Sequence, residues 1–412
     1  MKKLLQINPV IRTSTSTGRI MQEIGSMAVK RGWESHIAYS RGRDGIKESR
    51  SHIIPVGSGI DVISHALQTR LLDRHGLASR TATRDFINKV QSLSPDIIHI
   101  HNIHGYFLNY RLLFEFLALT DIPVVWTIHD CWLFTGHCYH YTFAGCDRWQ
   151  SGCHHCPQKH KFPATYGIDR SRRNYADKLK AFTSVPPGRM TLVTVSQWLR
   201  GEIQRSFLRD YPVEVIRNGV DTGIFRPQTD SRTSSPISDT AHKKIVLGVA
   251  GIWSREKGLD DFISLASVLP ADYRIVLAGI DKTTARRLPA AITALPRTAD
   301  TAALSALYSA ATVFVNPTYQ DNYPTVNLEA MACGTPVVTY RTGGSTESIT
   351  PATGASVEPG DINGLAEAII RFAEADPAAT CSACRSHALA SFDKDLCYGH
   401  YFDLYNRVLT HH

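Results

Sequence analysis

Two acidic residues that could do chemistry, Asp321 and Glu329, are separated by seven residues. The apolar run Thr312–Pro317 predicts a buried strand before them, and Thr325–Cys333 predicts a helix that Gly334 ends. Asp321 is therefore expected in the loop after a strand, and Glu329 in the helix that follows. Because α/β folds bind ligands at the carboxyl ends of their strands, the two acids could hydrogen-bond the hydroxyls of a polyhydroxylated ligand. The alternative for Glu329 is an acid that the helix dipole favours near a helix start.

Other polar residues follow predicted strands elsewhere in the chain. His129 lies at the carboxyl end of the predicted strand Pro123–Asp130, where an imidazole is well placed for chemistry, and Asp130 could orient its ring. Arg255 and Lys257 stand at the start of a helix that follows another strand. Cations there can bind phosphate, and the alternative for both is an exposed surface position. Three histidines of a neighbouring strand end could line the same site or serve in the core or at the surface: His99, His101 and His104.

Strands alternate with helices along the chain, and this pattern supplies the framework that positions these residues. Such alternation predicts parallel pairing and doubly wound sheets. With 412 residues the chain exceeds one comfortable hydrophobic core, so we expect two domains. Further predicted strands are Lys3–Asn8, His36–Tyr39, Ile53–Val56, Pro95–His101, Thr191–Ser196, Val213–Asn218, Lys244–Gly251, Tyr273–Gly279 and Pro336–Tyr340. Predicted helices include Arg19–Lys30, Ile60–Arg74, Thr83–Leu93, Leu108–Ala118, Leu259–Leu269, Thr298–Ala310, Asp361–Glu374 and Ser386–Leu409, and Ser196 is expected to cap a helix from Gln197.

Several motifs together resemble the retaining, GT-B-fold glycosyltransferases of family GT4. Asp321 and Glu329 match that family's two glutamates seven residues apart, with aspartate in place of the first. Asn218–Asp221 (NGVD) with Phe225–Pro227 (FRP) resembles the interdomain segment, and Glu256–Gly258 (EKG) resembles the motif that meets the donor diphosphate. The resemblance covers nearly the whole chain.

The resemblance implies an α/β fold of the GT-B type. Two doubly wound, Rossmann-like domains would face a cleft, and the last helix would cross back to the first domain. We place the acceptor-side domain at 1–220, the nucleotide-sugar domain at 221–385 and the crossover helix at 386–412. The Ser/Thr-rich run 229–242 is interpreted as a flexible linker.

The resemblance also implies residue roles in hexosyl transfer from a nucleotide-diphosphate sugar. Glu329 would bind the ribose, and Lys257 and Arg255 the diphosphate. His129 and Asp321 would contact the sugar. The implied donor-binding set also includes Gly18, Asn322, Tyr323, Pro324 and Thr325, and a plain turn is the alternative for Gly18. Cations and backbone amides would stabilise the leaving diphosphate, so we expect no requirement for a catalytic metal.

A cysteine-rich insert, residues 131–160, follows His129. The stretch HDCWLFTGHC at 129–138 is similar to a subset of GT4-like polysaccharide transferases. Four cysteines in one short segment favour a structural zinc ion, because thiolates are soft ligands; packed free thiols and a redox or iron–sulfur role are the alternatives. The candidate ligands are Cys138, Cys146, Cys153 and Cys156. Cys381 and Cys384 form a second C-x2-C, interpreted as packed or surface thiols.

The net charge of +8 favours anionic partners. Because no nucleic-acid motif is present, we expect a nucleotide diphosphate and an anionic membrane surface rather than nucleic acid. The basic segment Lys159–Lys180 either contacts lipid headgroups or a lipid-diphosphate acceptor, or is a solvated helix and loop. No apolar run is long enough to span a bilayer, and MKKLLQINPV predicts a first strand rather than a signal peptide. We therefore expect a cytoplasmic protein that is peripheral at the inner face of the cell membrane. The resemblance implies a role in surface polysaccharide synthesis, with a saccharide or lipid-linked saccharide as the acceptor.

Two other functions remain open on the same pattern. One is a non-catalytic partner that binds a nucleotide-sugar, favoured by Asp321 and by Ile252 at a place where the resembled family often has arginine. The other is a nucleotide-sugar epimerase, which would release no free nucleoside diphosphate on turnover.

Overall fold

The computed structural model describes residues 1–42, 49–228 and 243–410. The chain forms two compact units, residues 1–217 with 398–412 and residues 218–397. Each unit contains a parallel sheet with helices, which confirms the predicted α/β class and parallel pairing. The linker predicted at 229–242 lies outside the described residues.

The described part of the first unit has a seven-stranded sheet in the order β3-β2-β1-β4-β5-β6-β7. All neighbouring strands in it pair in parallel. The strand order reverses between β1 and β4, so the carboxyl ends of these strands form the switch point where α/β sheets bind ligands. Its strands are β1 Lys3–Ile7, β2 Glu34–Tyr39, β3 His52–Pro55, β4 Ile97–Ile100, β5 Val124–Ile128, β6 Met190–Thr194 and β7 Val213–Val215. Its helices are α1 Ser16–Lys30, α2 Gly59–Leu72, α3 Arg80–Leu93, α4 Tyr110–Leu119, α5 Ser171–Phe182 and α6 Gln197–Gln204.

The described part of the second unit has a six-stranded sheet in the order β10-β9-β8-β11-β12-β13, again with parallel neighbours. The order reverses between β8 and β11, which places a second switch point at their carboxyl ends. Its strands are β8 Lys244–Val249, β9 Tyr273–Ala278, β10 Ile292–Leu295, β11 Val313–Asn316, β12 Val337–Tyr340 and β13 Gly354–Val357. Its helices are α7 Leu259–Leu265, α8 Lys282–Ala285, α9 Thr301–Ala310, α10 Thr325–Ala332, α11 Ile362–Glu374 and α12 Pro377–Ser391, and α13 Lys394–Thr410 begins there and continues into the first unit.

The core of the second unit lies between its central strands and the helices that cover them. Val246, Leu277, Val315 and Val338 are buried on four adjacent strands, and Ile369 of α11 packs into the same cluster. Central strands covered on both faces are apolar along their whole length, which is why the sequence shows them as continuous apolar runs.

Two features of the secondary structure differ from the prediction, and a third confirms it. The short strands β10 and β13 have no counterpart in the predicted set. The helix predicted over Ser386–Leu409 is two helices, because α12 ends at Ser391 and α13 begins at Lys394, where Asp393 Oδ1 accepts the Asp395 amide at 2.9 Å. The predicted cap of α6 is confirmed, since the Ser196 side chain accepts a hydrogen bond from the Leu199 amide at 3.1 Å.

Candidate functional site

In the second unit, a predicted cation and a predicted acid meet at the carboxyl edge of the sheet. Lys257 ends the 3-10 turn Arg255–Lys257 after β8, and Asp321 lies in the loop after the neighbouring strand β11. Lys257 Nζ and Asp321 Oδ2 are 2.9 Å apart. The two side chains are 37% and 24% exposed, so solvent reaches the pair. A ligand at this edge would therefore meet both charges.

The turn that carries Lys257 is held against the β11 loop by backbone contacts. Gly258 has φ +73°, and a Cβ at this position would lie 2.3 Å from the Pro317 carbonyl oxygen. The Glu256 carbonyl accepts the Tyr319 amide at 2.9 Å. Only glycine combines this backbone angle with such a close approach. Gly258 of the EKG motif thus lets the two backbones approach closely enough to place Lys257 opposite Asp321.

A third loop fixes the backbone of Asp321 from the other side. Gly343, with φ +50° in the loop after β12, would carry a Cβ only 1.8 Å from the Asp321 carbonyl oxygen. Thr342 Oγ1 donates to the Thr318 carbonyl at 2.7 Å, and the Tyr323 amide contacts Asp321 Oδ1 at 3.3 Å. The loops after β8, β11 and β12 therefore converge on Asp321.

Glu329 lies in α10, beyond the same loop, and its side chain is buried at 3% exposure. The Tyr308 hydroxyl of α9 donates to Glu329 Oε2 at 3.1 Å, a contact that the sequence pattern did not indicate. A carboxylate can accept several hydrogen bonds, and those of ligand hydroxyl groups are among the bonds it can accept.

The remaining predicted donor residues surround the start of α10. Asn322, Tyr323 and Pro324 are buried and Thr325 is half-buried. Pro324 directly precedes α10, and its side chain makes no capping hydrogen bond. The first amides of a helix without a side-chain cap can bind an anion.

Arg255, the second predicted cation, lies on the surface instead. Its side chain is 79% exposed and pairs with Asp260 at 3.0 Å. Its contribution to a ligand would require a change of partner.

In the first unit, His129 follows β5 and takes part in a directed chain of hydrogen bonds. Gln6 Nε2 donates to the Met21 carbonyl at 3.0 Å, which turns Gln6 Oε1 toward His101 Nε2 at 3.1 Å. His101 Nε2 must then carry the proton, and His101 Nδ1 accepts from His129 Nε2 at 3.1 Å. Burial lowers the pKa of His129 to about 4, so its imidazole is neutral at pH 7. The structure therefore fixes both the charge and the tautomer of His129.

Asp130, predicted to orient the ring of His129, is engaged by other partners. Its Oδ2 lies 2.6 Å from His104 Nε2, and its Oδ1 accepts the Trp132 amide at 2.9 Å. Burial raises the pKa of Asp130, but the charge and hydrogen bond of His104 outweigh it and the net pKa is lowered. The ring partner that these hydrogen bonds identify for His129 is His101.

Two other predicted positions have evident structural roles. The Gly18 amide donates to Thr15 Oγ1 at 3.2 Å, and a Cβ at Gly18 would lie 2.2 Å from the Arg12 carbonyl oxygen. His99 is fully buried and Nδ1 of its ring lies 2.7 Å from the Tyr405 hydroxyl. The glycine is thus required by packing of the first loop, and this histidine belongs to the core.

The cysteine-rich insert brings its four predicted cysteines to one cavity, lined by Cys138, Cys146, Cys153 and Cys156. A hydrogen bond from the Cys138 thiol lowers the pKa of Cys156 to about 7. Within 1–42, 49–228 and 243–410, however, no three or more His, Cys, Asp or Glu side chains form a group that could hold a metal ion. The thiols share a cavity without the geometry of a closed metal site.

Buried Lys178 anchors the insert, although the sequence placed it in a basic segment expected either to contact lipid or to be solvated. Its Nζ donates to the carbonyls of Trp132 at 2.6 Å and Thr135 at 2.9 Å. Burial lowers the pKa of Lys178 to about 7. Helix α5 therefore holds the start of the insert in place through the hydrogen bonds of Lys178.

Comparison with known proteins gives matches over most of the chain. Residues 17–223 match the family model described as Glycosyltransferase Family 4, and residues 230–388 match Glycosyl transferases group 1. A sequence relative in Escherichia coli (strain K12) is WcaC, a glycosyl transferase provisionally assigned to colanic acid biosynthesis. It is 24% identical over 375 residues, which cover 87% of this chain and 88% of the relative.

Solved structures share the architecture over the whole length. Sucrose-phosphate synthase from Thermosynechococcus elongatus has a TM-score of 0.72 and 18% identity, and the match covers 100% of both chains. Anabaena HepE in complex with UDP-glucose has a TM-score of 0.68 and 14% identity, covering 99% of this chain and 100% of that one. These similarities confirm the GT-B fold.

Proposed function

The chain belongs to glycosyltransferase family 4, and from that premise we propose that it moves a hexosyl unit from a nucleotide-diphosphate sugar to a saccharide or lipid-linked saccharide, with retention. The observation that carries the proposal is the Lys257–Asp321 pair at the carboxyl edge of the second sheet, with buried Glu329 in the helix that follows the Asp321 loop. A cation for phosphate and two carboxylates for sugar hydroxyls are the groups that such a donor requires.

Donor binding would proceed by exchange of partners at this pair. The donor diphosphate replaces Asp321 as the partner of Lys257, and the released Asp321 carboxylate accepts hydrogen bonds from the sugar. Glu329 accepts from the ribose hydroxyls. The amides at the start of α10, with Asn322 to Thr325, bind phosphate oxygens. These groups stabilise the negative charge that develops on the leaving diphosphate.

His129 contacts the donor sugar in this proposal, as the family resemblance implies. Its neutral, fixed imidazole can form a directed hydrogen bond without carrying a charge. Arg255 joins the diphosphate site only by leaving Asp260, so its contribution is expected to be smaller than that of Lys257.

Surface polysaccharide assembly is the proposed setting. The assignment of WcaC to colanic acid biosynthesis supports it, and HepE in complex with UDP-glucose makes a UDP-sugar the first donor to test.

Donor turnover tests the proposal. The purified chain is incubated with UDP-, GDP-, ADP- and dTDP-sugars, and nucleoside diphosphate and sugar products are measured with and without saccharide acceptors. A transferase releases nucleoside diphosphate from one donor. If the configuration is retained, nuclear magnetic resonance shows the same anomeric configuration in the product as in the donor. Binding without turnover would favour the non-catalytic partner, and a changed sugar without release would favour the epimerase.

We further propose that the four insert cysteines hold a structural zinc ion, which takes no part in the transfer. The observation in favour is that all four line one cavity. Because these thiols, all among the described residues, do not form a metal-holding group in the structure, zinc binding would have to draw them closer together. Metal analysis of the purified protein should give about one zinc per chain, lost in Cys138→Ser or Cys156→Ser. Metal-free protein with an unchanged melting temperature in chelator would contradict it.

A further inference from the structure

Helix α2 has its apolar and polar faces reversed. Ile60, Ile63, Leu67 and Leu71 are 80%, 70%, 56% and 53% exposed. At about 100° per residue these four side chains fall within about 80° of the helix circumference. A helix that packs only on its own unit normally buries such a stripe.

The opposite face of α2 is the buried one, and it is polar. His65 and Thr69 are fully buried. His65 Nε2 accepts the Gly76 amide at 3.0 Å, and His65 Nδ1 lies 2.9 Å from Ser79 Oγ. These hydrogen bonds fix which face points inward, so the aliphatic stripe cannot be turned into the core.

The segment after the insert extends the apolar surface. The amides of Tyr166 and Ile168 donate to the carbonyls of Arg70 at 2.8 Å and Leu71 at 3.4 Å. Tyr166 is 68% exposed and Ile168 57% exposed. A large apolar patch of this kind marks a docking surface.

The charges around the stripe are positive. Arg70 is exposed on its flank, Lys161 is exposed in the segment that leads to Tyr166, and Arg172 and Arg173 are exposed on α5. Helix α5 is tied to the end of α2, because the Arg170 amide donates to Asp73 Oδ2 at 2.9 Å and Asn174 Nδ2 donates to the Asp73 carbonyl at 2.9 Å. Asp61, the acid within α2, is used in the capping box with Ser58.

We propose that this surface, defined by the α2 stripe, Tyr166, Ile168 and the flanking arginines and Lys161, docks on an anionic lipid bilayer. Aliphatic side chains on an interfacial helix enter the boundary between headgroups and acyl chains, while cations at their edge bind anionic headgroups. A second copy of the chain fits less well, because a two-fold contact through the stripe would bring the flanking cations of both copies together. Within the described residues no helix is long and apolar enough to cross a bilayer, so this is a surface contact.

Vesicle co-sedimentation tests the proposal independently of any transferase activity. The full chain is mixed with phosphatidylglycerol/phosphatidylcholine vesicles and with pure phosphatidylcholine vesicles. The test variant is Ile63→Ser/Leu67→Ser, and the control is Leu119→Ser, because Leu119 is 89% exposed at the end of α4 in the same unit. We expect the test variant to bind anionic vesicles at least about tenfold more weakly, with the control unchanged.

A charge variant separates the two contributions. Arg172→Gln/Arg173→Gln should weaken binding to anionic vesicles, with less effect on residual binding to neutral ones, and Arg209→Gln near the opposite edge strand β7 should not. Circular dichroism and melting temperature confirm folding, and single Ile60→Ser or Leu71→Ser variants replace the double variant if it fails to fold. Wild-type protein that ignores anionic vesicles, or a test variant that binds them as well as wild type, would overturn the proposal. So would light scattering that shows a wild-type dimer dissociated by Ile63→Ser/Leu67→Ser.

Discussion

Replacing Lys257 with methionine separates a ligand-binding role from a structural one. Lys257 and Asp321 form a partly exposed pair, and such pairs contribute about 0–1 kcal/mol to folding. The free energy of unfolding of Lys257→Met should therefore change by no more than about 1 kcal/mol. A hydrogen bond between a charged group and a diphosphate contributes about 1.5–3 kcal/mol, so the Kd for the nucleotide should rise roughly 10- to 150-fold. We expect the lower end of this range of Kd, because Lys257 must break its pair with Asp321 before it binds the diphosphate.

The assay is isothermal titration calorimetry with UDP and UDP-glucose, or with whichever nucleotide raises the melting temperature. Lys244→Met is the matched control, because Lys244 forms a similarly exposed pair with Asp272 at 3.4 Å, at the opposite end of β8. Adding Asp321→Asn to Lys257→Met should recover part of the affinity for UDP, since it removes a carboxylate that would otherwise repel the diphosphate. Equal nucleotide affinity in wild type and Lys257→Met, or equal losses in both lysine variants, would show that Lys257 does not bind the diphosphate.

Three further predictions concern the framework of the site. Gly258→Ala should lower the free energy of unfolding by at least about 1–2 kcal/mol, because residue 258 has φ +73° and no room for a Cβ, whereas Gly251→Ala, with open space around it, should not; equal thermal melts would contradict this. Burial lowers the pKa values of His65 and His129 to about 4, so the unfolded chain binds more protons than the folded chain between pH 6.5 and 4. The free energy of unfolding should be fully present above pH 6.5 and fall by up to about 3 kcal/mol per histidine as the pH drops to 4. Denaturant titrations that give the same free energy over this range would argue against it. His101→Phe removes the acceptor for His129 and should reduce kcat while leaving the Kd for UDP unchanged; an equal loss of UDP affinity would point to a merely structural role.

The sequence predicted most of the central framework because its signals are local. Strands such as β4 and β11 are buried on both faces and read as apolar runs, and the Ser196 cap lies within three residues of its partner. The edge strands β10 and β13 lack such runs. Both are only four residues long and partly solvent-exposed, and β13 contains Gly354.

Contacts between distant residues could not be predicted from spacing. Lys257 and Asp321 are 64 positions apart, and the Gln6–His101–His129 chain spans three strands or strand ends. Only the folded sheet brings such strand ends together. Asp130 is adjacent to His129 in the chain, and adjacency alone predicts that it orients the ring, but in the folded chain its carboxylate is bonded to His104 and the Trp132 amide.

Helix α2 shows that an apolar pattern can predict a helix without identifying its buried face. Its aliphatic spacing indicates a helix correctly, but spacing alone does not say which face is buried. The hydrogen bonds of His65 to Gly76 and Ser79 decide that question, and they place the polar face inside. The exposed stripe is therefore visible only in the structure.

The most direct test of the donor site is a melting-temperature screen of wild type and Glu329→Gln with UDP-, GDP-, ADP- and dTDP-sugars, because a ligand that binds only the folded state raises the melting temperature. Glutamine retains an acceptor for Tyr308, so the variant should fold normally. Donors of one base should raise the melting temperature of wild type, and the increase should be largely lost in Glu329→Gln. Folded wild-type protein that responds to none of them, or a response that Glu329→Gln leaves intact, would contradict the assignment of the donor site to the second unit.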